Sequence, residues 1–384
     1  MQVKEQPPKT AKKQLNKTAL TKTGIDFGFL FTVITLLALG LLMVFSASYP
    51  YAYYYFGDGL YFIKRQLLWT IAGGIVMAFT ANYDYRKYKK YAFPILAFSF
   101  ILLAAVLLVG INLNGAKRWL GIGSLTFQPS EVAKIALIIY FAAGLSEIKE
   151  KITSFKYLFR YLFVIGLFMG LLLLQPHFSV CIIIGLTMVI VLLVSGAKIL
   201  HFALLAVPVV IAGVFIVITE PYRLQRLTTF LDPFSDALGS GWQVIQSLYA
   251  IGSGGLFGVG FGNSRQKFLY VSEPQNDFIF AIICEELGWI GAITILVLFG
   301  VLLWRGLKIA IHAPDTFGSL LVVGITSLVG VQVILNIAVV TSSIPTTGIP
   351  LPFFSAGGSS MVFLMAAMGI VLNVSKYSKK NIDL

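Results

Sequence analysis

Apolar residues run along this chain in long blocks, not in the strict alternation of a strand or the one-sided stripe of a surface helix. The blocks fall at roughly 27–47, 66–82, 91–110, 127–145, 157–175, 178–195, 200–219, 277–304, 319–341 and 357–375. Each comes close to the ~20 residues that a helix needs to cross the hydrocarbon core of a bilayer. Short polar segments separate them, with one exception: Glu220 to Asn276, 57 residues between the seventh and eighth blocks. A connection of that length is functional or folded on itself. The pattern predicts an all-α polytopic membrane protein of about ten transmembrane helices, with a large extracellular loop between helices 7 and 8.

Charge placement gives the orientation. The first block follows six lysines (Lys4, Lys9, Lys12, Lys13, Lys17, Lys22) and, at 21 residues, exceeds a signal-peptide core. It reads as a retained span with the amino terminus in the cytoplasm. On that basis the cytoplasmic segments carry 20 Lys and Arg and the outer segments eight, as the positive-inside rule requires. An even number of spans returns the carboxyl terminus to the cytoplasm. The chain divides into a basic tail over 1–26, a membrane domain over 27–376 containing the loop 220–276, and a short tail over 377–384.

Composition excludes the soluble alternative. Residues of the AVILMFWYC set make up 58% and charged residues 12%, against about 25% charged in soluble domains. The net charge of +13 is therefore a topology signal and not a nucleic-acid footprint. Cys181 and Cys284 lie inside apolar blocks, and His177, His201 and His312 are far apart, so neither a disulfide framework nor a metal site is indicated.

Ionisable groups inside a bilayer are costly and mark candidate sites. Four qualify: Glu131 and Lys134 in the fourth span, Glu285 and Glu286 in the eighth. By helical rise, Lys134 lies roughly 9 Å below Gln128 and Glu285 roughly 12 Å below Asp277, so the two sets occupy similar depths. One reading is a structural ion pair between Lys134 and Glu285 or Glu286. A compatible one is that Glu131 and Lys134, on one face by their i, i+3 spacing, shape a polar cavity opening outward.

Asp277 begins the eighth span within Glu273-Pro-Gln-Asn-Asp277. It is either a helix N-cap or a general base at the membrane surface. Asn114-Gly-Ala-Lys-Arg-Trp-Leu-Gly121 and Pro221-Tyr-Arg-Leu-Gln-Arg226 place Lys117, Arg118, Arg223 and Arg226 on the outer side, joined there by Arg265. Cations kept where topology disfavours them point to an anionic ligand, phosphate foremost. Within the long loop, Trp242 to Ile251 has the spacing of a short interfacial helix, and Gly252 to Gly262 is too glycine-rich for one. Ile344 to Ser360, rich in Pro, Gly and hydroxyls, reads as a re-entrant loop lining a cavity, with Ser359 a candidate cavity residue.

Six motifs in order resemble those of the SEDS family: Asn114-Gly-Ala-Lys-Arg-Trp-Leu-Gly, Phe127-Gln-Pro-Ser-Glu-Val-Ala-Lys134, Gly262-Asn-Ser-Arg-Gln-Lys-Phe, Glu273-Pro-Gln-Asn-Asp-Phe-Ile-Phe-Ala281, Glu285-Glu-Leu-Gly288 and Pro350-Leu-Pro-Phe-Phe-Ser-Ala-Gly-Gly-Ser-Ser360. The resemblance spans roughly 27–376 and favours the FtsW and SpoVE branch over RodA through Gly262-Asn-Ser-Arg-Gln-Lys-Phe and Leu302 to Asp315. It implies a peptidoglycan glycosyltransferase that polymerises lipid II on the outer face of the bacterial cytoplasmic membrane. A class B penicillin-binding protein is the implied partner, with other division or sporulation proteins at the septum. It maps the family's catalytic aspartate onto Asp277 and its polar pair onto Glu131 and Lys134. The implied reaction is an inverting displacement in which Asp277 takes a sugar hydroxyl proton and undecaprenyl diphosphate leaves. The outer cations are candidates to neutralise that leaving group, a divalent cation could assist, and no other cofactor is indicated. Two departures stand out: Gln175-Pro-His where an acidic residue often follows Gln-Pro, and Ser355-Ala-Gly-Gly where Ser-Tyr-Gly-Gly is common. The rival readings are a lipid II flippase using the intramembrane charges as its pathway, and a scaffold acting through the charged tails.

Overall fold

The structure is a computed structural model that describes residues 24–113, 116–122, 125–218 and 221–378. The basic tail expected over 1–26 and the tail over 377–384 fall almost entirely outside the described residues. Each predicted apolar block coincides with a helix: α1 (Phe27–Phe56), α2 (Tyr61–Asn82), α4 (Ala92–Val109), α5 (Pro129–Ile148), α6 (Phe155–Leu174), α7 (Phe178–Val194), α8 (Ile199–Ile218), α11 (Ile279–Ile311), α12 (Thr316–Val340) and α13 (Gly358–Ser375). A single turn, α3 (Arg86–Lys90), precedes α4, and the long loop supplies α9 (Pro221–Leu231) and α10 (Trp242–Ser253). Among the described residues, seven of these helices are long and apolar enough to cross a membrane.

Local sequence sets the helix ends. Asp26 caps α1 by accepting from the Phe29 amide at 2.7 Å, and Asp315 caps α12 by accepting from Gly318 at 2.8 Å. α1 continues to Phe56, past the expected edge at Ala47, and ends where Gly57 adopts φ 69°. α12, apolar on every side, is the most buried of the spans and forms the centre of the bundle. Leu68, Ile71, Ile75 and Phe79 of α2 recur at helical spacing and are exposed, the surface a bilayer covers.

Two features depart from a plain helical bundle. Between α4 and α5 the described residues form a small antiparallel sheet of β1 (Ile111–Leu113), β2 (Ala116–Ile122) and β3 (Leu125–Phe127), in that order. It covers the junction between α4 and α5. The second is a break in α11. Gly288 sits at φ 66° and ψ −168°, so the carbonyls before it and the amides after it lose their helical partners. The glycine-rich segment fills the gap: Gly255 and Leu256 carbonyls accept from Trp289 (2.9 Å) and Ile290 (3.2 Å), while Val259 and Gly260 donate to the Glu285 (2.9 Å) and Glu286 (3.1 Å) carbonyls. A Cβ on Gly288 would stand 2.3 Å from the Gly258 nitrogen, and one on Gly258 would stand 2.1 Å from the Glu286 oxygen. Only glycine permits the two backbones to approach this closely. The helix expected within 242–251 forms as α10, but its apolar face (Val244, Ile245, Ala250) is buried against α11 and α12. Ser247 also bonds the Val340 carbonyl at 2.9 Å, so α10 is docked on the bundle and does not lie free at an interface.

Candidate active site

The turn that carries Asp277 is held by three consecutive backbone carbonyls. The Ala356 amide donates to Gln275 O (2.8 Å), the Ser355 hydroxyl to Asn276 O (2.8 Å), and the Asn336 amide to Asp277 O (2.8 Å). Asn336, wholly buried in α12, donates its second hydrogen to Ile349 O at 2.7 Å. Ser355 in turn accepts from the Leu351 amide at 2.7 Å. The segment predicted to be re-entrant, 344–360, therefore braces the candidate base through its part before α13, whose helix takes up the last three residues.

The carboxylate itself is left available. Among the described residues no hydrogen bond or ion pair is formed with it. The side chain is half-buried and stands against Gly348, where an added Cβ would be 3.0 Å from Oδ2. Burial, reinforced by the Glu273 carboxylate and opposed by Arg226, pushes its pKa up to about 6. A carboxyl in that range is largely ionised at neutral pH and still basic enough to accept a proton. The N-cap alternative does not hold, because Phe278 occupies the cap position of α11 and no side chain bonds there.

Glu131 and Lys134 pair with each other at 2.8 Å in the buried first turns of α5. They line one cavity of about 40 Å³ together with Gln332, Leu351, Ser355 and Ser360. That volume holds a water molecule or two and not a sugar. The expected pairing of Lys134 with Glu285 or Glu286 is not made. Lys267 takes Glu286 (2.8 Å), which also accepts from Ser46 (2.7 Å). Glu285 accepts from the Ser264 hydroxyl and from the Arg265 and Gln266 amides at 2.9 and 3.3 Å. The physical reason is supply: the glycine-rich loop brings donors to α11 more closely than α5 can.

The outer cations separate by environment. The Arg226 guanidinium donates to the Thr346 carbonyl at 2.7 Å, which ties α9 to the bracing loop beside Asp277. Arg118 donates to the Gln175 and Pro176 carbonyls and so anchors β2 to the turn between α6 and α7. Lys117 and Arg265 are exposed. Arg223 belongs to α9, and its side chain lies outside the described residues. Ser359, buried, accepts from the Gln128 amide at 3.4 Å. No group of three His, Cys, Asp or Glu side chains among the described residues is arranged to hold a metal ion.

A family model described as "Cell cycle protein", covering FtsW, RodA and SpoVE, matches residues 28–380. The chain belongs to this family. Among its relatives, the stage V sporulation protein E of Bacillus subtilis is 46% identical over 363 residues, covering 93% of this chain and 99% of that protein. A probable peptidoglycan glycosyltransferase FtsW of Trichlorobacter lovleyi is 41% identical, covering 91% and 93%. Among solved structures, a chain of a peptidoglycan synthase complex that coordinates polymerization and crosslinking superposes with a TM-score of 0.78 at 31% identity, covering 94% of this chain and 100% of that one. The rod shape determining protein RodA of Thermus thermophilus superposes with a TM-score of 0.67 at 28% identity, covering 94% and 99%. As in those relatives, this chain is a multi-pass helical membrane protein.

Within this family frame, the residues that sequence reasoning missed are uncharged. Asn336 and Gln332 are polar positions at i, i+4 within the ninth apolar block, a signal passed over by a search for ionisable groups alone. His177 is buried with its ring 3.3 Å from the Gln128 amide. Burial, with Arg118 and Lys134 nearby, pushes its pKa down to about 3. The ring that follows Gln175-Pro176 is therefore neutral.

Proposed function

We infer that this chain is a peptidoglycan glycosyltransferase that polymerises lipid II into glycan strands for septal cell-wall synthesis, in division or sporulation. One observation carries the mechanistic part: the Asp277 backbone is fixed by three donors while its carboxylate is left unbonded among the described residues, poised near pKa 6. Such a group accepts the proton of a sugar 4-hydroxyl as that oxygen attacks the anomeric carbon of a second lipid-linked chain. The donor linkage is α and the product β, so one displacement with inversion needs one base and no covalent intermediate. The proton ends on Asp277, the bonding pair of the broken C–O bond leaves with the diphosphate, and a divalent cation could accompany that anion.

The loop-bearing end of the bundle is assigned to the cell exterior, with both termini cytoplasmic, as the 20 to eight distribution of Lys and Arg supports. The partner is a class B penicillin-binding protein supplying crosslinking, and the place of work is the septum. The translocation alternative needs Glu131, Lys134, Glu285 and Glu286 to line one path. Saturation of both Glu285 and Glu286 by donors of the 264–267 segment argues against it.

Purified protein incubated with labelled lipid II tests the reading. Polymer is expected, and its absence with an active partner present would overturn it. Movement of lipid II across a vesicle without polymer would instead identify a transporter.

A further inference from the structure

α13 begins beside the Asp277 turn, since Ala356, two residues before the helix, already bonds Gln275. Its cap residue, Gly357, has no side chain to offer, and no other side chain caps the helix. The amides of the first turn, Gly358, Ser359 and Ser360, therefore lack helical acceptors. Around them the structure gathers donors. The Gly357 amide bonds Gln66 Oε1 at 3.2 Å, which fixes the Gln66 carboxamide at this helix end. Gln66 is buried at 3% exposure, and its Nε2 finds no acceptor among the described residues. Trp69, one turn further along α2, presents its indole Nε1 2.6 Å from where a Cβ on Gly358 would be. That approach needs glycine at 358.

A second helix start joins the first. The Gln128 amide, just before α5, donates to Ser359 at 3.4 Å, and the Ser130 hydroxyl, buried at 1% exposure, is without a partner among the described residues. Two helix amino ends, each the positive end of a macrodipole, thus meet at Ser359. The one carboxylate in the first turn of α5, Glu131, is neutralised by Lys134. Ser360, whose hydroxyl donates to the Gly357 carbonyl at 3.2 Å, lines the cavity that holds this pair, while Gly357 and Gly358 are partly exposed. A cluster of backbone and side-chain donors at a helix start, with accessible backbone, is suited to an anion.

We propose that the joined amino ends of α13 and α5, with Gln66, Trp69 and Ser360, form a subsite for a phosphate ester, occupied in the reaction by the diphosphate of the lipid-linked substrate. The assignment of the occupant rests on the glycosyltransferase reading; the anion site does not. It places the leaving group on neutral donors and helix dipoles next to the Asp277 turn, whereas Arg118 and Arg226 hold backbone carbonyls. A bilayer phospholipid headgroup offers the same phosphate chemistry, so the two sources must be separated.

The test uses the full chain in phosphatidylcholine nanodiscs. Undecaprenyl diphosphate is the probe; undecaprenol and phosphatidylglycerol are the comparators. Ser360→Asp puts a carboxylate in the first turn, where it favours the helix but occupies the anion position. Its expected result is unchanged or raised thermal stability, at least tenfold weaker binding of undecaprenyl diphosphate and unchanged binding of undecaprenol. Gln66→Leu is expected to weaken the diphosphate several-fold, and Asp277→Asn to leave it intact. Undiminished diphosphate affinity in folded Ser360→Asp protein overturns the subsite, and equal displacement of the probe by phosphatidylglycerol overturns its assignment to the lipid-linked diphosphate. Because binding is read without turnover, failure of wild-type protein to polymerise lipid II would remove the glycosyltransferase reading and leave the anion measurement standing.

Discussion

Lys267 lies 2.8 Å from Glu286 with both side chains almost wholly buried, and the pair fastens the glycine-rich loop to α11 just above its break. The lysine also donates to Ser46 of α1 (3.1 Å) and to the Gly262 carbonyl (2.6 Å), so one ammonium joins three pieces of chain. Removing one partner of a buried pair leaves an uncompensated charge, which typically costs about 3–5 kcal/mol. Lys267→Met is therefore expected to destabilise the protein by about that amount in detergent unfolding. The double variant with Glu286→Gln should recover much of the loss. Equal stability of Lys267→Met and wild type would mean that the pair is solvated.

Asp277→Asn keeps the shape of the side chain and every backbone bond of the turn. The expected outcome is a folded, substrate-binding protein whose chain growth falls by about 10²–10⁴-fold, the usual contribution of a general base. Polymer at wild-type rate from purified Asp277→Asn protein would falsify its role.

The pH dependence follows from the same group. The base works ionised, so kcat/KM should fall about tenfold per pH unit below about 6. Glu273 raises this pKa and Arg226 lowers it. Glu273→Gln should then move the acid limb to lower pH and Arg226→Gln to higher pH. The sign extends to stability: the carboxyl value is raised in the fold from the ordinary 3.8, so its stabilising effect is complete below that value and is lost as pH rises toward 6. Asp277→Asn should abolish that part of the pH dependence.

Asn336→Leu and Ser355→Ala remove donors that hold the Asp277 turn and touch nothing that reacts. A misplacement near 1 Å can cost about 10²-fold in rate, so kcat should drop by up to that factor. KM and the pH midpoint should stay in place, and Ser355→Thr, which keeps the hydroxyl, should recover activity. A fall in folded yield with normal kcat per folded molecule would reduce both residues to structural supports.

Exposed Ser272 lies in the loop assigned to the exterior, while Cys181 and Cys284 are buried. In intact cells Ser272→Cys should react with a membrane-impermeant thiol reagent, and Lys87→Cys only after permeabilisation. The reverse pattern would invert the topology and remove the proposed site from its substrate.

The spans could be read because twenty consecutive apolar residues have one stable outcome in lipid, and their edges strayed where aromatic residues such as Tyr49 to Phe56 extend a helix past its oil-soluble part. The sheet at 111–127 could not, since β1 and β3 have three residues each, too few to show a period. Asp277, Glu131 and Lys134 stood out as charges in an apolar setting. Their partners did not, because pairing depends on which loop arrives first in space: Lys267 and Glu286 are 19 positions apart, with the Asp277 turn between them. Asn336, Ser355 and Gln66 are neutral, so charge does not single them out, and only Asn336, with Gln332 one turn before it in an apolar block, left a trace in the hydropathy pattern. Their roles exist only once α12 and the bracing loop meet the Asp277 turn and α2 meets the start of α13.

The interruption of α11 at Gly288 has a mechanical meaning. Its upper segment, Ile279 to Leu287, and its lower shaft are separate rods spliced by borrowed rungs from residues 255–260. The stiffness beneath Asp277 is thus lent by a stretch of chain some thirty positions earlier. A side chain at 258 or 288 would prise the two rods apart and leave the Asp277 turn standing on an unspliced stub.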